Sequence, residues 1–401
     1  MSCSLPDWKP AASEPSAGDS SYARYMPRGI GHLSSLASTD RSSPARWMAI
    51  LCIALGCASS PPPGYVKTEA AAQRAYVHGR YEEAARRWLE AAQLAELERD
   101  RHEATYRAAA SLARAGKTDQ AQSLYRKVAR DRGGERAARA AFELANLKLT
   151  QGKTVEGHRL LVQAIRTHPN SGLASRALQK LVDWWKTEGS WASVTAHLDE
   201  LIATLDGTEL AERLHYAYAG ALVNQGRLRA ARDRYLYLAR RFPYPRGALW
   251  DDSLWHASEL EERLGDYTAA VAHLERMLAE REPTGSPGSY ERPRYDDAQF
   301  RIGVLFRDRI HDPERAIAAF LKLYRLHPNS VLRDDALWAA ALVARSSGQR
   351  GQGCEILRTL VDDLPESRFA PCAKTACPDL QTSTHGRCHG YIRRQVVASD
   401  R

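Results

Sequence analysis

Gly79-Arg80-Tyr81-Glu82-Glu83-Ala84-Ala85 returns far along the chain as Gly265-Asp266-Tyr267-Thr268-Ala269-Ala270. A glycine, a polar residue, a tyrosine and then a small residue read as a tight turn feeding a helix. Between these copies the turn glycine recurs as Gly116, Gly152, Gly189 and Gly226, so successive intervals are 37, 36, 37, 37 and 39 residues. The next, Gly348, stands 83 residues beyond Gly265, two periods with one longer unit. A fixed period of this size predicts a solenoid of helix pairs, because a single pair cannot bury its own apolar face.

The spacing inside each unit repeats as well. Five residues after the turn comes a small side chain: Ala84, Ala121, Gly157, Ala231, Ala270 and Gly353. It lets the second helix cross closely over the first. Four residues further stands a large one, Trp88, Tyr125, Leu161, Leu198, Tyr235, Leu274 or Leu357, on the same helical face. Pro169, Pro243, Pro328 and Pro365 close second helices, since proline cannot continue one. Asp312-Pro313 reads as an N-cap with proline at the first helical position.

Taken together, G-x-Y-x-x-A-x-x-x-Y/W/L with a closing proline resembles the tetratricopeptide repeat (TPR). The resemblance spans residues 65–368 and implies an all-α, right-handed superhelix of about eight helix pairs that binds proteins. His168-Pro169-Asn170-Ser171, His327-Pro328-Asn329-Ser330 and Leu364-Pro365-Glu366-Ser367 are similar to the bacterial envelope branch. That branch includes the lipoprotein of the outer-membrane β-barrel assembly machine (BamD) and the periplasmic coordinator of cell-wall synthesis and envelope constriction (CpoB).

The N-terminal segment supports an envelope setting. Arg41 and Arg46 precede the uncharged run Trp47–Gly56, too short to span a bilayer, which takes roughly 20 apolar residues. Ile53-Ala54-Leu55-Gly56-Cys57 resembles the bacterial lipoprotein processing site, which implies that Cys57 is acylated and becomes the mature N-terminus. Ala58 follows where Asp would favour inner-membrane retention, so the resemblance implies the outer membrane, periplasmic face. Residues 1–56 are expected to be leader plus signal, with Met26 a candidate start. Residues 57–64 are expected to form a proline-rich tether, 281–294 a long loop, and 369–401 an irregular tail.

The whole chain carries 57 Lys and Arg against 48 Asp and Glu. The part from Cys57 onward keeps a net +8. Its basic residues interleave with acidic ones, as on solvated helix faces, which speaks against a nucleic-acid partner. Cys354, Cys372, Cys377 and Cys388 remain in that part; in an exported chain four cysteines suggest disulfides, with three pairings open. The spacing Cys372-x4-Cys377-x10-Cys388-His389 lacks the second close pair of a zinc site and the C-x-x-C-H of haem attachment. No catalytic motif, cofactor site or small-molecule site is legible.

Ten residues before the turn glycines stand Tyr106, Phe142, Tyr216, Trp255 and Trp338, with Phe300 joining once the longer seventh unit is allowed for. In TPR proteins this position borders the concave groove, so the six rings are a candidate partner-binding stripe, with packing between first helices as the alternative. Asp251-Asp252, Asp296-Asp297 and Asp334-Asp335 open three first helices; they either offset the helix dipole or form an acidic rim for basic partners. The expected function is a non-catalytic envelope scaffold that holds a protein partner and is tied to the membrane by lipid. A pilotin-type lipoprotein serving a secretin or pilus shares these features. The helical domain of soluble lytic transglycosylases is also similar, but the short stretch after Arg368 is too small for their catalytic domain.

Overall fold

A computed structural model describes residues 61–130, 134–280, 294–380 and 387–399. The candidate anchor Cys57 and its signal lie outside these residues, as does the loop expected at 281–294 except for Arg294.

Sixteen helices form eight consecutive pairs: α1 (Pro63–Val77) with α2 (Tyr81–Leu94), α3 (Glu98–Arg114) with α4 (Thr118–Ala129), α5 (Glu135–Thr150) with α6 (Thr154–Thr167), and α7 (Ala174–Glu188) with α8 (Trp191–Leu205). Then follow α9 (Ala211–Asn224) with α10 (Leu228–Arg241), α11 (Trp250–Leu264) with α12 (Tyr267–Ala279), α13 (Tyr295–Leu305) with α14 (Pro313–Leu326), and α15 (Arg333–Ser346) with α16 (Arg350–Asp363). Each helix packs on its neighbours along the chain, and first helices also touch the first helices of adjacent units. This is an all-α solenoid of TPR type.

The turn inside each pair is a chain reversal that requires a left-handed residue. Gly79, Gly116, Gly152, Gly226, Gly265 and Gly348 have φ of 73–88°. The amide after Gly79 bonds back five residues, Arg80 N–H to Ala75 O at 2.9 Å, while Gly79 N–H reaches Tyr76 O at 3.0 Å. That pair of bonds closes the last carbonyls of the first helix. Two units depart from the scheme. Gly189 has φ −149°, not left-handed, and Ser190 instead caps α8, its Oγ accepting from Ser193 N at 3.4 Å. In the seventh unit His311 takes the left-handed place with φ 59°. A five-residue π-helical turn, Phe306–Ile310, precedes it. The returning bond there, Asp312 N–H to Phe306 O, spans six residues rather than five. A π turn adds one residue to the helix. That insertion is why Phe300 falls eleven places before its turn, not ten.

The predicted packing register holds along the array. Ala84, Ala121, Gly157, Ala231, Ala270 and Gly353 are buried, as are the large residues from Trp88 to Leu357 four positions later. Pro169, Pro243, Pro328 and Pro365 each follow the last residue of a second helix by two. Asp312 caps α14 as expected, its Oδ1 accepting from Arg315 N at 2.9 Å.

Both ends differ from expectation. Pro63 and Gly64, placed in the tether, open α1. The tail is not irregular. It forms α17 (Ala370–Ala376) and α18 (Gly390–Ser399), and buries Phe369, Ala370, Ala373, Ile392 and Val396 in the last core cluster. The cysteines pair as Cys354–Cys377 and Cys372–Cys388, with Cα separations of 5.7 and 4.6 Å. Among the described residues no helix is long and apolar enough to cross a membrane.

Candidate protein-binding groove

Side chains of the first helices meet those of the next first helix at a spacing of one unit, which builds a ladder along one face. Arg107 on α3 donates to Gln73 on α1 at 3.0 Å, Arg136 on α5 pairs with Glu103 on α3, and Lys180 on α7 donates to Asn146 on α5 at 3.0 Å. Burial pushes the Glu103 carboxyl up, but hydrogen bonds from Arg107 and Arg136 outweigh it and hold it below the ordinary carboxylate range. The ladder is densest across α9, α11 and α13. His256 Nε2 lies 2.9 Å from Tyr216 Oη, and its Nδ1 lies 2.9 Å from Glu259 Oε2. Arg301 donates to Glu262 at 2.5 Å and to Glu259 at 3.4 Å. Burial raises Glu259, and the bond to His256 with the charges of His256 and Arg301 overrides it, so this carboxylate also sits low. Trp255 carries two guanidinium groups, Arg301 at 5.1 Å and Arg294 at 5.6 Å from the ring centre.

The six-ring stripe divides. Tyr106, Tyr216, Trp255 and Phe300 are half-buried. Tyr106 lines a cleft of about 390 Å³ with Tyr76, Glu143 and Asn146. Tyr216 lines another of about 290 Å³ with Leu178, Val182 and Trp191. Phe300 leans on Phe320 at 5.2 Å. Phe142 and Trp338 are core residues, contrary to the groove reading. Phe142 shares an apolar cluster with Leu161 and with Ala174, Ala177 and Leu178 of α7, and it has no polar edge to hold toward water. Trp338 stacks on Phe369 at 5.1 Å and donates Nε1–H to Gln395 on α18 at 2.8 Å. The tail covers it.

The acidic pairs act between units. Asp296 accepts from Ser330 Oγ at 2.6 Å and Asp334 from Ser367 Oγ at 2.8 Å, so the serines after Pro328 and Pro365 latch onto the preceding first helix. Glu212, at the same register position of α9, accepts from Leu249 N at 2.8 Å. Asp252 pairs with Arg294 at 3.0 Å, and Asp335 pairs with Arg368 at 2.5 Å. These carboxylates join repeats rather than forming a free rim. Cys354, Cys372, Cys377 and Cys388 are all disulfide-bonded, and no cluster among the described residues could hold a metal ion.

The repeat pattern does not single out His256, Glu259, Glu262 and Arg301. They stand one, four and seven places after Trp255 and one after Phe300, so the signal was the polar residues adjoining the aromatic register.

The family model for the tetratricopeptide repeat matches residues 103–132 and 297–330, which fall on the second and seventh helix pairs. No curated protein matches the sequence. Among solved structures, the chain is similar to the C-terminal part of a TPR repeat-containing protein from Cytophaga hutchinsonii. Identity there is 12%, coverage 67% of this chain and 98% of the other, and TM-score 0.40. A tetratricopeptide repeat protein from Parabacteroides merdae is 14% identical, over 69% of this chain and 98% of its own, with TM-score 0.30. YrrB, a TPR protein with an unusual peptide-binding site, is 15% identical over 54% and 97%, with TM-score 0.34. Two helix pairs of the chain thus match the tetratricopeptide repeat, and the all-α solenoid is the fold that such repeats build.

Proposed function

We propose that this protein is a non-catalytic scaffold of the bacterial cell envelope that holds a protein partner along the face made by its first helices. The observation that carries the reading is the half-exposed ladder Tyr216–His256–Glu259–Arg301 with Trp255 beneath two arginines. Amphipathic rings flanked by paired charges are the chemistry of interface hot spots. The same reading places acylated Cys57 in the outer membrane, with the solenoid in the periplasm. It rests on the lipoprotein-like run before Cys57. A role in β-barrel assembly or envelope maintenance follows from the resemblance to the envelope branch.

Two experiments test it. Crosslinking and capture from cells should recover an envelope protein with the wild type, and Trp255→Ala should lose about 2 kcal/mol of that binding, the scale of a hot-spot truncation. Capture unchanged in a folded Trp255→Ala protein would remove the groove from the proposal. Cys57→Ser should abolish lipid labelling and release the chain from the membrane fraction, because stable anchoring needs two acyl chains. Labelling that persists would remove the anchor.

A further inference from the structure

The inner face of α15 is filled where the matching face of α11 is open. Trp338, Ala339 and Arg345 occupy the positions held on α11 by Trp255, His256 and Glu262, 83 residues earlier in each case. The three α11 residues are partly exposed, and the three α15 residues are buried. The tail reaches two of them, Trp338 and Arg345. Gln395 accepts from Trp338 Nε1, and Arg345 Nη1 donates to Ala376 O. Ile392 and Val396, one turn apart on α18, sit in the core cluster that contains Trp338.

We propose that the face of α15 around Trp338 is a second partner site, occupied here by the chain's own α18 and released by reduction of Cys372–Cys388. This deepens the groove reading, since it takes that face to continue into the eighth unit. The partner it fits is a short amphipathic helix with apolar residues at i and i+4 and a carboxamide at i+3, the pattern of Ile392, Gln395 and Val396. An isolated helix of ten residues is marginal in water, so α18 depends on docking and on its tether. The tether is Cys388, two residues before α18, bonded to fully buried Cys372. Cys388 is the partly exposed partner, so its sulfur is the one a reductant reaches. A thiolate of a dithiol reductant attacks the Cys388 sulfur and expels Cys372 as thiolate. The reductant's second thiol then closes its own disulfide and frees Cys388. Two electrons pass to the cysteine pair, which ends as two thiols after protonation.

The test uses the full mature chain and a fluorescein-labelled peptide of residues 389–399 as probe, read by anisotropy. The oxidised wild type should bind it at least about tenfold more weakly than a Cys372→Ser/Cys388→Ser protein, because an occupied site lowers the competent fraction. Adding Trp338→Ala should abolish the binding gained. Ile392→Asp with both disulfides intact should also open the site, which guards against a cysteine variant that fails to fold. Equal binding by the oxidised wild type, or none by either released protein, overturns the proposal. Neither result touches the groove reading, which rests on partner capture at Trp255.

Discussion

Gly220 and Gly303 are both interior to first helices, and an added methyl meets very different neighbours. A Cβ on Gly220 would find only Tyr235 Oη at 3.9 Å, an ordinary contact. Alanine there should gain the helix-propensity difference, about 0.8–1 kcal/mol, and raise the melting temperature. A Cβ on Gly303 would lie 2.5, 2.6 and 2.8 Å from three atoms of the Phe320 ring. That ring is fully buried and rigid, so overpacking of about 1–3 kcal/mol exceeds the propensity gain. Gly303→Ala should therefore melt lower than wild type. Parallel thermal melts decide it, and a stabilised Gly303→Ala protein would mean the seventh unit packs more loosely than described. The same crowding explains Gly157, where a Cβ would meet Leu149 Cδ2 at 2.6 Å.

The helices hold several buried or half-buried histidines in the neutral form. His158 on α6, His168 at its end, His215 on α9 and His273 on α12 are each held below the usual histidine value, chiefly by burial. For His215 the Asp206 carboxylate at 2.7 Å pulls the other way without prevailing, and Arg234 at 2.8 Å adds to the lowering. A base with a lowered folded pKa is protonated first in the unfolded chain. Stability from these four is thus intact above pH 6.5 and falls as pH drops below it. Melts at pH 7.5, 6 and 5 should show a progressive decrease in melting temperature. The low-lying carboxylates Glu103 and Glu259 add a further loss only in more acidic solution. A melting temperature flat from pH 7.5 to 5 would contradict the neutral burial of the histidines.

Over the whole molecule, stability is a sum of units and nearest-neighbour interfaces, so damage stays local. The disulfides close loops with separations of 23 and 16 residues at the C-terminal end. Loops of this size are worth roughly 3 kcal/mol each in the chain-entropy account. Reduction should speed amide exchange in α15 to α18 and leave α1 to α8 unchanged. Exchange that rises evenly along the chain would show an array more cooperative than nearest-neighbour coupling allows.

The chain's own residues determined the period, the pairing of helices and the buried register. Each unit must present the same small and large residues to its neighbour, and a helix repeats its face every few residues whatever surrounds it. The prolines and Asp312 were legible for the same reason, because their effects are local. The tertiary structure alone decided which stripe rings face the groove. Phe142 and Trp338 share the register of Tyr106 and Trp255 but are covered by α7 and by the tail. It alone decided the disulfide pairing, the serine latches onto Asp296 and Asp334, and the use of His311 in place of a glycine. Each of these depends on groups brought together from different units, or on one residue inserted into a helix. Periodicity carries no record of such encounters.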